Sequence, residues 1–163
     1  LGKEYNITPY GTEAMHVLRA EKGFIIVGQE TDGSVTPIDL DMNWIVSKKK
    51  YDFIGKRSLH RSDTIREDRK QLVGLFTKDP KEILEEGSQL VEKITKFPME
   101  MIGHVTSSYY SPNLKRSIAL ALVKEGKRKK GSKLYAPMPK KVVEVEITNP
   151  VFIDPTNERI NNA

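Results

Sequence analysis

The sequence predicts an α+β chain that is mainly β: a short helical, turn-rich N-terminal part followed by a small antiparallel barrel or sandwich. Two observations carry this. From Gln71 onward six short apolar runs, Leu72 to Phe76, Gln89 to Ile94, Met101 to Thr106, Ile118 to Val123, Lys133 to Ala136 and Val142 to Ile147, are divided by Gly, Pro, Ser and Asn, the spacing of an all-β module. In the last run Val143, Val145 and Ile147 alternate with Glu144 and Glu146, which marks a strand with one dry face and one wet face.

Ahead of these strands, Thr12 is placed to cap a helix whose apolar residues Met15, Val17 and Leu18 share a side, and Gly23 supplies a left-handed stop. Phe24-Ile25-Ile26-Val27 reads as a buried extended piece, and Thr31-Asp32-Gly33-Ser34 as a turn. Thr36-Pro37 opens a second short helix with Met42, Trp44, Ile45 and Val46 on its buried side. Between Ser47 and Lys70 the chain turns basic and reads as an exposed connector.

Composition narrows the function classes. With 163 residues the chain can bury a real core without metal or disulfide help. The absence of cysteine removes disulfides, thiolate zinc sites, iron-sulfur clusters and a cysteine nucleophile from this chain. No apolar run approaches the roughly 18 residues of a membrane span, so a water-soluble chain is expected, and the absence of cysteine is compatible with the cytoplasm. A net charge of +5 suits an anionic ligand or partner without selecting one.

Motifs for catalysis are missing. His16, His60 and His104 are far apart in sequence with no ligand spacing, so no metal site is expected, and His104 reads as a packed strand residue. Ser107, Ser108 and Ser111 lack a nucleophile-elbow context, and the glycines form neither a dinucleotide fingerprint nor a Walker loop. Lys127-Arg128-Lys129-Lys130-Gly131-Ser132-Lys133 reads as a solvated hairpin tip. Its rival reading is a phosphate-binding loop of a basic β-barrel nucleic-acid module, with Tyr109, Tyr110 and Tyr135 as stacking candidates. Arg19, at the end of the first helix, is placed to fork onto a buried carboxylate or a ligand carbonyl, and from its position alone to serve the helix dipole or to pair with Glu21.

Longer stretches carry a resemblance. Pro9 to Gly23 (PYGTEAMHVLRAEKG), Val27 to Gly33, Thr36-Pro37, Asp52 to Ser58, Arg69 to Leu75, Gly103 to Tyr109 and Ser117 to Val123 closely resemble the alpha subunits of heterotetrameric sarcosine oxidases. More distantly, the same segments are similar to the glycine-cleavage T-protein, the folate-dependent aminomethyltransferase. The resemblance implies a remnant of an aminomethyltransferase-type folate-binding subdomain over residues 1–62, a connector over 63–70, a Greek-key C-terminal β-barrel over 71–157 and a tail over 158–163.

It also implies a function. In that family sarcosine is oxidatively demethylated to glycine and the one-carbon unit passes to tetrahydrofolate, with flavin and NAD held elsewhere in the enzyme. The implied partners are the beta, gamma and delta subunits, the remainder of the alpha chain, and folate. A fragment of another folate-dependent aminomethyltransferase or demethylase is the alternative within the same superfamily.

Site residues follow by motif. Arg19 matches the arginine of the family's L-R-x-E-x-G segment at the folate site, with Glu21 and Gly23 as its supports. Arg159 falls in the matching tail region, where Glu158 stands in place of the family's aromatic. No catalytic residue is carried over, because the family's catalytic aspartate and pteridine-holding glutamate match nothing here; the folate site is expected to be incomplete and this segment alone inactive. Apolar surface around Phe24 to Val27 and Trp44 is then expected to lie open, with self-association or partial disorder in the first sixty residues. A sharply dispersed NMR spectrum of a monomer across that region would contradict this.

Overall fold

A computed structural model describes residues 2–162. Its centre is an antiparallel sheet of six strands, β1 (Lys70–Thr77), β2 (Gln89–Leu90), β3 (Gly103–Ser111), β4 (Arg116–Lys124), β5 (Lys133–Met138) and β6 (Lys141–Thr148). One longer helix, α1 (Thr12–Glu21), precedes it, and a short one, α2 (Glu158–Asn161), follows.

The strand order is β2-β3-β4-β1-β6-β5. Strands β2, β3 and β4 are sequential neighbours and β1 lies beside β4, which is a Greek key. The sheet is not closed by a continuous ladder. Its two edges approach at one bridge, where Val91 and Tyr135 exchange backbone hydrogen bonds of 2.9 Å. The predicted Gln89 to Ile94 run shortens to Gln89–Leu90 plus this bridge, and Ile94 is exposed.

Why β4 reads as an unbroken apolar run is visible in its two faces. Ala119, Ala121 and Val123 point inward to a core with Val73, Leu75, Leu90, Val105, Leu134, Ala136, Val143, Val145 and Ile147. The alternate residues Leu120 and Leu122, with Leu72 of β1, form a second cluster with Leu40, against which Ile25, Val35, Met42 and Phe152 pack. The N-terminal part therefore lies over the outer face of the sheet, and a strand buried on both faces has no reason to alternate. Gly74 lets the chain leaving β6 cross this face: a Cβ there would lie 2.2 Å from the Asn149 carbonyl oxygen.

The N-terminal part departs from several expectations. Thr12 is the first helical residue rather than the cap, a position Gly11 takes without a side-chain hydrogen bond. Met15 and Leu18 are exposed, whereas the buried residues of α1 are Arg19, Ala20 and Glu21. The helix thus turns its polar side to the sheet, for a reason given below. Phe24 to Ile26 is irregular chain and Val27 makes only a single bridge with Thr31, so no buried strand forms, and Phe24 and Val27 are exposed. In place of the second helix expected after Thr36-Pro37 there are turns and a 3-10 turn over Asn43–Ile45, whose Trp44 is 76% exposed, and a further 3-10 turn, Arg57–His60, lies in the connector. Gly23 does adopt the left-handed stop, at φ +68°.

The run Lys127 to Lys133 joins β4 to β5, which are not neighbours in the sheet, so it is a crossover rather than a hairpin tip. Among the described residues no helix is long and apolar enough to cross a membrane.

A second tie between the two layers is ionic. Arg69, just before β1, donates from Nε and Nη2 to the Asp39 carboxylate at 2.6–3.1 Å, and Asp39 also accepts from the Thr36 backbone and hydroxyl at 2.8 and 2.9 Å. Burial alone would raise the Asp39 pKa, but the Arg69 and Thr36 hydrogen bonds outweigh it and hold the group below its ordinary value. A depressed carboxylate contributes stability above its unfolded pKa and loses it as the pH falls through the folded value. Asp39→Asn should therefore lower stability near neutral pH by about 2 kcal/mol. In urea unfolding the gap to the wild type should close as the pH drops below about 4.

Candidate functional site

The polar side of α1 meets a stripe of hydroxyls on the outer face of β3, and a register shift creates that stripe. Val105 pairs with Ala121, an inward residue, but the next partners are Ser107 with Leu120, Tyr109 with Ile118 and Ser111 with Arg116. One extra residue between Val105 and Ser107 therefore turns Ser107, Tyr109 and Ser111 to the face where Leu120 lies. Without it these side chains would have pointed into the apolar core.

Arg19 enters this stripe with its side chain 8% exposed. Its Nη1 donates to Glu30 Oε2 at 3.0 Å and to the Phe24 carbonyl at 3.2 Å. Its Nη2 donates to Gln29 Oε1 at 3.0 Å, Ser107 Oγ at 2.6 Å and Tyr109 Oη at 3.4 Å. Glu30 is fully buried; it accepts from the Ile26 backbone N–H at 2.8 Å and from Ser107 Oγ at 2.5 Å. The guanidinium also lies 5.7 Å from the centre of the Tyr109 ring, which stacks on His16 at 6.3 Å.

Glu21 is not the partner of Arg19. Residues two apart on a helix do not face each other, and the Glu21 carboxylate instead accepts from Ser111 Oγ at 2.5 Å and Asn113 Nδ2 at 2.8 Å. Its carbonyl accepts from the Phe152 and Ile153 backbone N–H groups at 2.9 and 3.0 Å. Glu21 thus fastens both the β3–β4 turn and the chain after β6 to the end of α1.

A cleft of about 290 Å³ opens beside this anchor, lined by Leu18, Glu21, Phe24, Ile153, Asp154 and Arg159, with Lys22 and Asn113 at its margin. Glu21 and Arg159, 138 positions apart in sequence, thus share one wall system. Arg19 does not line it; its guanidinium is directed at Glu30 and Ser107. Lys22 Nζ bonds the Asp154 carbonyl at 2.6 Å and Asn157 Oδ1 at 2.8 Å, which sets where the tail turns toward Arg159. The cleft can take a flat organic group between Leu18, Phe24 and Ile153, with a cation from Arg159 at its rim.

Sequence reasoning missed Glu30, Gln29 and Ser107. Gln29-Glu30-Thr31-Asp32-Gly33 reads as turn chemistry, and Glu30 lies 77 residues from the serine it touches. The basic run is largely engaged: Lys127 pairs with Asp41 at 2.8 Å, Arg128 with Glu125 at 3.4 Å and Lys129 with Glu92. Tyr109 is held by His16 and Arg19, and Tyr135 sits at the sheet-edge bridge. Neither arrangement presents the row of free cations and open rings that a nucleic-acid platform needs. Among the described residues no group of three or more His, Cys, Asp or Glu could hold a metal ion.

Removing one partner of a buried ion pair strands the other charge. Glu30→Gln should cost about 3 kcal/mol in urea unfolding, whereas Glu82→Gln, which breaks the more exposed Lys141–Glu82 pair, should cost less than about 1 kcal/mol. Equal costs would contradict a buried ionic anchor.

Comparison with known proteins agrees with this architecture. Residues 70–154 match the model of the glycine cleavage T-protein C-terminal barrel domain, and residues 1–50 match that of the GCVT N-terminal domain. The chain is 52% identical over 165 residues to the sarcosine oxidase subunit alpha of Corynebacterium sp. (strain U-96), covering 97% of this chain and 17% of that protein. It is 39% identical over 163 residues to the subunit alpha of Rhizobium meliloti (strain 1021), covering 98% of this chain and 16% of the relative. An aminomethyltransferase of Clostridium botulinum (strain Okra / Type B1) is 36% identical over 141 residues, covering 86% and 36%.

The chain thus spans about a sixth of the length of the sarcosine oxidase subunits it matches. The crystal structure of the glycine cleavage system aminomethyltransferase T from Bartonella henselae shares the fold, with a TM-score of 0.79 at 22% identity over 93% of this chain and 41% of that one. A strand order, a register and a family model that spans 70–154 of the 163 residues lead to one conclusion: the chain belongs to the family of the glycine cleavage T-protein C-terminal barrel domain.

Proposed function

We propose that this chain serves as the folate-domain segment of a sarcosine oxidase alpha subunit. The enzyme would oxidatively demethylate sarcosine to glycine and pass the one-carbon unit to tetrahydrofolate. The observation that carries this reading is the 52% identity to such a subunit across 97% of the chain. Its partners are then the remainder of the alpha chain and the beta, gamma and delta subunits. Flavin and NAD belong elsewhere in that assembly, and its compartment is the cytoplasm.

The residues present suit part of a folate site. Reduced folate combines a flat ring system with a carboxylate-bearing tail, and the cleft beside Glu21 offers apolar walls from Leu18, Phe24 and Ile153 together with the Arg159 side chain. Among the described residues the Arg159 guanidinium has no hydrogen-bond or ion-pair partner, so it is available to a ligand carboxylate. Arg19 and Glu21 act here as positioning residues. Arg19 holds α1 on β3 through Glu30 and Ser107, and Glu21 holds the two chain segments that form the walls. No proton-transfer role falls to either of them, since both heads are occupied by protein groups. The chain alone then binds folate weakly and turns nothing over.

Calorimetric titration of tetrahydrofolate into the alpha subunit carrying this segment tests the reading. Arg159→Ala should weaken binding about tenfold, the loss of one charge-assisted contact. Arg19→Ala should weaken it at least as much while also lowering the unfolding midpoint. Lys127→Ala, on the far basic loop, should change nothing. Wild-type affinity in both arginine variants would refute the assigned site.

A further inference from the structure

A second cleft, of about 330 Å³, lies on the outer face of the sheet between the turn at residues 32–35, the chain entering β1 and the ends of β3 and β4. Its floor is apolar, from Val35, Met101, Ile102 and Leu122. Its rim carries Arg66, Arg69, Lys70 and Lys124, with His104, Asp32 and Asp68.

These charges are not equally committed. Arg69 is spent on Asp39, and Arg66 forms a two-pronged pair with Asp68 at 2.7 Å. Lys124 shares Asp68 at 3.6 Å. Lys70 has no ion-pair partner among the described residues. Yet Lys70 and Lys124 stand directly opposite each other in the antiparallel β1–β4 ladder, an arrangement that like charges disfavour. Both side chains line the same cleft and Asp68 answers only Lys124, so an anion seated between the two ammonium groups would give Lys70 a partner and offset the remaining repulsion.

We propose that this cleft binds a small carboxylate with an apolar body, the carboxylate seated between Lys70 and Lys124 and the body resting on Val35, Ile102 and Leu122. The floor selects this class over inorganic phosphate, which has no apolar part to cover it. The walls select a single carboxylate over a strongly charged polyanion, because Asp32 and Asp68 face the same space. His104 stands at the end of β3 beside the opening. Burial and then the nearby Lys70 push its pKa below the ordinary value, against the pull of Asp32, so at neutral pH it meets a ligand as an uncharged ring. The site is separate from the Glu21–Arg159 cleft and shares no lining residue with it.

Benzoate titrated into the alpha subunit carrying this segment, followed by NMR at the His104 ring and the Lys70 and Lys124 amides, tests the proposal. A saturable shift with a Kd on the order of 1 mM is expected. Lys70→Gln and Lys124→Gln should each weaken it by roughly fivefold, the loss of one of two charge-assisted contacts. Lys70→Arg should bind nearly as the wild type does, and Lys127→Gln should have no effect. Either glutamine variant relieves the cross-strand repulsion, so both should stay folded, which the amide spectrum checks. Shifts that grow without saturation, that are matched by phosphate at equal ionic strength, or that persist unchanged in Lys70→Gln would overturn the proposal.

Discussion

The extra residue between Val105 and Ser107 decides how the N-terminal part attaches to the sheet. A strand has period two, so a single insertion moves every later side chain to the opposite face. Before the shift β3 contributes Val105 to the core; after it, Ser107, Tyr109 and Ser111 stand on the outer face. Three hydroxyls on a sheet surface need partners if they are to be covered, and α1 brings Arg19 and Glu21. This is why the helix presents its charged side inward and leaves Met15 and Leu18 in solvent, the reverse of an ordinary amphipathic helix.

Docking through polar groups has an energetic consequence. A buried ion pair gains little over an apolar contact of the same volume, because both charges lose water. What it adds is geometry: Arg19 can satisfy Glu30, Gln29 and Ser107 together in one position of the helix along β3, whereas an apolar face tolerates sliding. The driving force for covering the sheet comes instead from Leu40, Ile25, Val35 and Met42 over Leu72, Leu120 and Leu122. Apolar burial brings the layers together, and the Arg19–Glu30 and Arg69–Asp39 pairs fix their register.

The sheet was legible in the sequence and its attachments were not. All six strands fall in or across apolar runs set between turn residues, and the alternation of Val143, Val145 and Ile147 named the inner face of β6 outright. The bulge leaves no such mark: Gly103-His104-Val105-Thr106-Ser107-Ser108 reads the same whichever face Ser107 takes. A buried carboxylate is one of the partners the position of Arg19 suggests, but nothing marks Glu30 as that carboxylate, because a Glu inside a turn sequence carries no sign of full burial. The helix was misjudged for the opposite reason, since Met15, Val17 and Leu18 do share a side and only the polar stripe on β3 overrides them. Trp44 carries two expectations, the buried side of a second helix from its apolar chemistry and open surface from the resemblance; it is exposed, since the floor of the N-terminal layer is already filled by Leu40 and Met42. The resemblance in the quoted segments singled out Arg19, but it could not show that the guanidinium is directed at Glu30 and Ser107 rather than into the cleft that Glu21 and Arg159 line.

That orientation bears on how such a site divides its labour. A guanidinium with four side-chain acceptors and one carbonyl around it cannot be recruited to a ligand without leaving Glu30 as an unpaired buried carboxylate, a cost of several kcal/mol. A ligand contact worth about 2 kcal/mol would not offset it. Arg159, on the short helix α2, has no guanidinium partner among the described residues and carries no such penalty. In the proposed site the division follows from burial: Arg19, inside the layer interface, is held by protein groups, whereas Arg159 lines the cleft with no such partner for its guanidinium among the described residues.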